Sequence, residues 1–123
     1  MPQLPNQVNF ATAAGSLWQQ TFTLTDSTGA PLNLTGLTWE FVIRPNVTDA
    51  TVPALVSVTT TQTAQGQITV TPLTGTVTVT LTPAATTLLG QGSRPHALWS
   101  NPGTTTATVW VEGRFNTALV ANA

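Results

Sequence analysis

Two carboxylates and one imidazole come nearest to a reaction centre in this chain. Glu40 and Glu112 each fall in a stretch that alternates as a strand, so two sheets could set them the few ångström apart that glycoside hydrolysis requires. A simpler pairing competes with that one. Glu40 precedes Arg44 by four positions and Glu112 precedes Arg114 by two, so at strand period each acid shares a solvent face with an arginine and reaches charges on neighbouring strands. We adopt the surface reading. His96 is the sole imidazole and follows Pro95; a lone histidine is weak ground for a nucleophilic triad, and it is read as structural. Asp26 and Asp49 could offer oxygens to Ca²⁺, but such sites cluster several carboxylates. Asp26, heading the run Asp26-Ser27-Thr28-Gly29, is read as a turn cap. No catalytic, cofactor-binding or metal-ligating residue is assigned, and no cofactor is expected.

The tryptophans divide by phase. Trp39 alternates with Phe41 and Ile43, and Trp18 with Phe22 and Leu24, which places both in a core. Trp99 precedes a turn, at a rim or a seam. Trp110 is out of phase with Val109 and Val111 and in phase with Thr108, Glu112 and Arg114, so it is expected on the polar face. An aromatic beside an arginine is the composition of a binding hot spot. Candidate protein-interface residues are therefore Trp99, Trp110 and Arg114, together with Leu4, Val8 and Phe10 of an N-terminal arm. That arm has too few apolar residues to fold alone and is expected to order only against a neighbour.

Composition points the same way. The 123 residues include twenty-seven Thr but only three Arg, four acids and one His, with no Lys and no Cys. Soluble domains devote about a quarter of their residues to charge, so the exposed polar surface here is mostly hydroxyl and amide. A net charge of −1 leaves little repulsion between copies, and threonine-rich strand edges are poorly defended against pairing. Assembly would cover them.

Three other classes are set aside. Without a basic stripe, nucleic acid is not an expected partner. Without Cys there are no thiolate zinc sites or disulfides. No secretory signal is read in residues 1–10, and no stretch approaches the ~20 apolar residues of a membrane span, so no membrane partner is expected. The triplets Asn33-Leu34-Thr35 and Asn46-Val47-Thr48 match the glycosylation sequon but carry no weight in so Thr-rich a chain.

The elements that would position these side chains are strands. Thr76 to Thr82 alternates strictly, with Val77, Val79 and Leu81 on one face and threonines on the other. Leu37 to Arg44 does the same with Leu37, Trp39, Phe41 and Ile43. Further strands are expected at Leu17 to Thr25, Ala54 to Thr61, Gln67 to Thr71, His96 to Ser100 and Thr106 to Phe115. Turn chemistry at Gln65-Gly66, Thr74-Gly75 and Asn101-Pro102-Gly103 separates them. Pro83 to Leu89 breaks the period: Thr82 is a possible N-cap, Pro83 suits the first helical position, and Gly90-Gln91-Gly92 stops a short helix. The expected architecture is an all-β antiparallel sandwich of about seven strands with one helical turn. Residues 1–16 form an extended arm, 17–115 the sandwich, and 116–123 a short tail.

The order of features also carries a resemblance. Phe22, Leu24, Asp26, Gly29, Pro31, Leu34, Thr35 and Gly36 make the pattern F-x-L-x-D-x-x-G-x-P-x-x-L-T-G, and Glu112-Gly113 follows in the last strand. Over roughly residues 17–115 this resembles the small Ig-like β-sandwich of tailed-bacteriophage virion proteins, including the N-terminal domain of baseplate upper proteins. The matching positions are turn and packing residues, so the resemblance transfers no catalytic role. It implies a non-enzymatic virion structural protein, assembled in the host cytoplasm. A domain with an arm fits a capsid decoration or cement subunit bound to the major capsid protein, to copies of itself, or to both, as a homo-oligomer or within a lattice. The alternatives are a tail or baseplate protein of the same phage class, and a carbohydrate-binding or adhesin module.

Overall fold

Alternation of Thr with Val, Ile and Leu at a period of two yields two β-sheets packed face to face. The computed structural model describes residues 6–26, 28–45 and 54–119. Leu4, Asp49, the Asn46-Val47-Thr48 triplet and the last four residues of the expected tail lie outside the described residues. Within the described residues the strands are β1 (Asn6–Gln7), β2 (Phe10–Ala13), β3 (Trp18–Thr23), β4 (Trp39–Ile43) and β5 (Val56–Thr59). They continue as β6 (Gly66–Thr71), β7 (Thr76–Leu81), β8 (Gly92–Ser100) and β9 (Thr108–Ala118). One sheet runs β9-β8-β4-β5 with β1 and β2 both on the outer edge of β9; the other runs β3-β7-β6. The protein is all-β and sandwich-like.

The alternating faces explain the core. Trp18 and Phe22 from β3, Val77, Val79 and Leu81 from β7, and Ile68 from β6 face Trp39, Phe41 and Ile43 from β4 and Leu98, Val111 and Phe115 from β8 and β9. All are buried. Trp39 and Trp18 are core residues, as their phase requires. Fully burying side chains of this size is worth about 1.5–3 kcal/mol each, which makes this seam the main source of cohesion.

Local chemistry sets the connections. Asp26 Oδ1 accepts hydrogen bonds from the Thr28 N–H (2.8 Å), the Thr28 hydroxyl (2.6 Å) and the Ala30 N–H (3.1 Å), while Gly29 sits at φ +86°, a left-handed turn position. The Thr28 hydroxyl, followed by the N–H groups of Thr28 and Ala30, holds the exposed Asp26 carboxyl below its ordinary pKa. Turn capping is thus the role of Asp26. The helix α1 (Pro83–Leu89) begins as the sequence requires, with Thr82 Oγ1 accepting from the Ala85 N–H at 3.3 Å and Pro83 in the first turn.

Two departures alter the architecture. The arm is not waiting for a neighbour: β1 and β2 run parallel to β9, with Asn6 opposite Val111, Gln7 opposite Glu112, and Phe10 to Ala13 opposite Phe115 to Ala118. With these two short strands the described residues form nine strands, where about seven were expected. The same pairing absorbs residues 116–118, expected as tail, into β9. The strand β8 also begins at Gly92, earlier than His96. Pro95 lacks an N–H, but its carbonyl accepts from the Arg44 N–H at 3.0 Å just beyond the end of β4, so the missing donor falls where that ladder stops.

Candidate functional site

The outer face of the larger sheet collects most of the charge. Cross-strand partners define three rows on it. Arg114 of β9 lies opposite Pro95 of β8, which meets Arg44 just past β4. In the next row Gln7, Glu112, Ala97, Val42 and Ser57 lie side by side, and in the third Val109, Trp99, Glu40 and Thr59. Of the six charged residues among the described positions, Arg44, Arg114, Glu40 and Glu112 are on this face. Three open depressions of about 260, 240 and 310 Å³ run along it, bounded in turn by Gln7 and Arg114, by Pro95 and Trp99, and by Glu40 and Pro102.

The carboxylates are engaged with the protein itself. Glu40 Oε2 accepts from the Ser57 hydroxyl at 2.8 Å, and Glu112 Oε1 accepts from the Gln7 side-chain amide. They stand on strands separated by β8, so their backbones are about 10 Å or more apart, unlike the ~5 Å carboxyl spacing of a retaining glycosidase pair. Each acid does share its face with the arginine that sequence spacing assigns to it. The Arg114 guanidinium turns to Ser93, Nε to the hydroxyl at 3.1 Å and Nη2 to the carbonyl at 2.8 Å.

Trp99 is half-buried on this face, opposite Glu40. Trp110 is not on it, contrary to its phase. A bulge at Leu98/Trp99 pairs Leu98 with Val111 but Trp99 with Val109, so Trp110 is the extra residue. Its Nε1 donates to the buried Ser100 hydroxyl at 2.9 Å, and its ring packs against the core. A period of two cannot anticipate an inserted residue.

Beneath the same face, His96 fastens the arm. Its ring is 3% exposed and lies among Phe10, Phe41 and Phe115, with centroids 5.0, 5.5 and 6.4 Å away. Nε2 bonds the Val8 carbonyl at 2.7 Å as donor, while Nδ1 is buried with no hydrogen-bond partner among the described residues. Desolvation lowers the His96 pKa, against smaller upward pulls from the Val8 carbonyl and from Glu112. The imidazole is therefore held neutral with its proton on Nε2.

No protein-family model matches the chain, and no curated protein matches it.

Phe10 and Val8, expected to anchor on another molecule, pack against this chain's own core. Phe10 meets Trp18 edge-on at 5.0 Å and Phe22 at 5.9 Å. Two further residues complete the fastening: Gly113, which entered the sequence pattern without a role in holding the arm, and Asn9, to which the sequence assigned none. A Cβ on Gly113, at φ +154°, would stand 2.0 Å from the Val8 carbonyl oxygen; only glycine lets the arm cross there. Asn9 Oδ1 accepts from the Arg114 N–H at 2.9 Å where the β1–β2 ladder is interrupted. A lone glycine inside a strand pattern is the signal that could have marked this close approach. Among the described residues, no three His, Asp or Glu side chains gather as a metal site.

Proposed function

We propose that this chain is a non-enzymatic structural protein of a tailed-bacteriophage virion, an Ig-like sandwich that binds the capsid lattice as a decoration or cement subunit. The observation that carries the reading is the outer face of the smaller sheet. Its cross-strand rows are Gln19–Thr80–Gln67, Thr21–Thr78–Thr69 and Thr23–Thr76–Thr71, nine uncharged side chains and no other type. Thr21 and Thr78 share a 2.9 Å hydrogen bond, and Gln19 Nε2 donates to Thr80 Oγ1 at 3.0 Å. Hydroxyls that both donate and accept can exchange water for a partner at small net cost, whereas buried charges resist desolvation. Weak contacts of this kind gain strength when lattice symmetry repeats them.

The Ig-like part of the reading draws support from strand order. The order β3-β7-β6 against β9-β8-β4-β5 matches B-E-D against G-F-C-C′ of an immunoglobulin sandwich. The sequence pattern from Phe22 to Gly36 supports the phage context. Quantification of this protein against the major capsid protein in purified virions tests the assignment. Lattice decoration requires copies on the order of hundreds per particle, and about six to a few dozen would move the protein to the tail or baseplate. Absence from the particle would overturn both.

A carbohydrate-binding reading has one observation in its favour: Trp99 borders an open depression with Glu40, Pro102 and Gly103, a setting in which a ring could stack on a sugar. Glycan-array binding that disappears in Trp99→Ala would replace the virion assignment.

A further inference from the structure

We infer that the arm is an acid-released strap: protonation of His96 detaches residues 6–13 from β9 while the two sheets stay packed. The inference does not rest on the virion reading. It rests on where the imidazole sits relative to the break in the arm. β1 covers two residues and β2 four, and the interruption between them falls at Val8 and Asn9. There His96 Nε2 donates to the Val8 carbonyl at 2.7 Å, and the ring lies 5.0 Å from Phe10, the arm's aromatic anchor. One side chain thus serves both the polar and the apolar fastening. Gly113, opposite His96 on β9, has no side chain to shield the ring, so the Val8 carbonyl fills that place.

Charging the ring works against both fastenings. A second proton enters at Nδ1, which is buried and meets no acceptor among the described residues. The cation would be enclosed by Phe10, Phe41 and Phe115, whose attraction for it is smaller than the cost of stripping its water. Neighbouring charges do not offset this. The described residues of the arm, β3, β5, β6, β7 and α1 carry no titratable side chain. On β9, Glu112 accepts from Gln7 and Arg114 turns to Ser93. On β4, Phe41 faces the ring, Glu40 is bonded to Ser57, and Arg44, just past the strand, has a partner of its own. On β8 itself, Arg94 stands two positions away and adds positive charge. Desolvation outweighs the upward pulls of the Val8 carbonyl and Glu112, so with the arm closed the imidazole pKa lies below its ordinary value.

Opening is local because the rest of the sandwich does not need the arm. β9 stays paired with β8 along its length. Release stops at Gly15 and Ser16, where Thr86 of α1 accepts from the Gly15 N–H at 3.0 Å and donates to the Ser16 carbonyl at 2.8 Å. The other ties of the arm, such as Val8 N–H to the Glu112 carbonyl at 2.8 Å and Arg114 N–H to Asn9 Oδ1 at 2.9 Å, are edge hydrogen bonds that water can replace. Lifting the arm removes Val8 and Phe10 from the ring and admits water, so the open form binds a proton near the ordinary histidine pKa of about 6.5. The closed form refuses that proton. Opening therefore becomes more favourable as pH falls below about 6.5, by up to about tenfold per pH unit until the closed form is protonated as well.

Amide hydrogen exchange of the full chain between about pH 7.5 and 5, corrected for the intrinsic pH dependence of exchange, tests this over the range where histidine titrates. Protection of residues 8–14 is expected to fall by about tenfold between about pH 6.5 and 5.5, while β7 stays about a hundredfold or more better protected and circular dichroism is unchanged. His96→Gln keeps a donor for Val8 but cannot be charged, so its arm is expected to show no change over this range. Glu112→Gln keeps the titrating ring and is expected to respond as the wild type does. Arm protection that is independent of pH, an arm and β7 that lose protection together, or a pH response lost in Glu112→Gln would each overturn the proposal. A response retained in a folded His96→Gln would do so too; if that variant does not fold, the wild-type and Glu112→Gln profiles decide.

Discussion

Gly113 and His96 show how single residues decide whether the arm belongs to the fold. The Val8 carbonyl passes so close to Gly113 that any Cβ must displace it, and His96 Nε2 holds that same carbonyl from below. Gly113→Ala should therefore release the arm at this crossing. The expected cost is about 1–3 kcal/mol, read from urea denaturation, with faster amide exchange over residues 8–13. For His96 the prediction concerns pH. Burial lowers its pKa in the native state, so as pH falls below about 6.5 the unfolded chain takes up a proton that the native one refuses. The unfolded state then binds more protons, and stability must fall with pH through that window. Unfolding free energies measured between about pH 7.5 and 5.5 should show this slope, and His96→Phe should flatten it.

At the scale of elements, the arm and β9 form a unit that neither makes alone. β9 would be an edge strand without β1 and β2, and Phe10 covers Trp18, Phe22 and Phe115. Deleting residues 1–13 should lower the melting temperature and produce concentration-dependent association, since an unpaired edge and a bared aromatic cluster favour both. Static light scattering beside a thermal melt checks the two together. The bulge in β9 works at the same scale: by inserting one residue it moves Trp110 from the outer face to Ser100 and leaves the half-buried Trp99 as the tryptophan on that face.

Across the whole molecule, the two sheets present surfaces of different chemistry. One is the uncharged threonine and glutamine grid; the other holds four charged side chains and Trp99. If the grid contacts a lattice, a charge at its centre should stop the contact without unfolding the protein. Thr78→Lys is expected to change stability by less than about 1 kcal/mol and to reduce the protein's abundance in purified particles by about tenfold or more. Equal incorporation of variant and wild type, measured by quantitative mass spectrometry, would remove the grid from the assembly mechanism.

Alternation alone determined much of this protein. Strict period-two runs such as Thr76 to Leu81 dictate which side chains face the core, because successive residues of a strand point to opposite faces. The turn at Asp26 and the short helix after Thr82 are equally local, since each is capped by a side chain within four residues. Tertiary structure decided the rest. Whether the arm docks on its own chain depends on Gly113 of β9 and His96 of β8, which are far from Val8 along the chain and meet its carbonyl only once the strands have packed. The direction of Trp110 depends on the register between β8 and β9, and the gathering of Glu40, Arg44, Glu112 and Arg114 on one face depends on β8 lying between β4 and β9. Strand order and register arise from packing distant segments together, and a local pattern carries no information about which strand will be a neighbour.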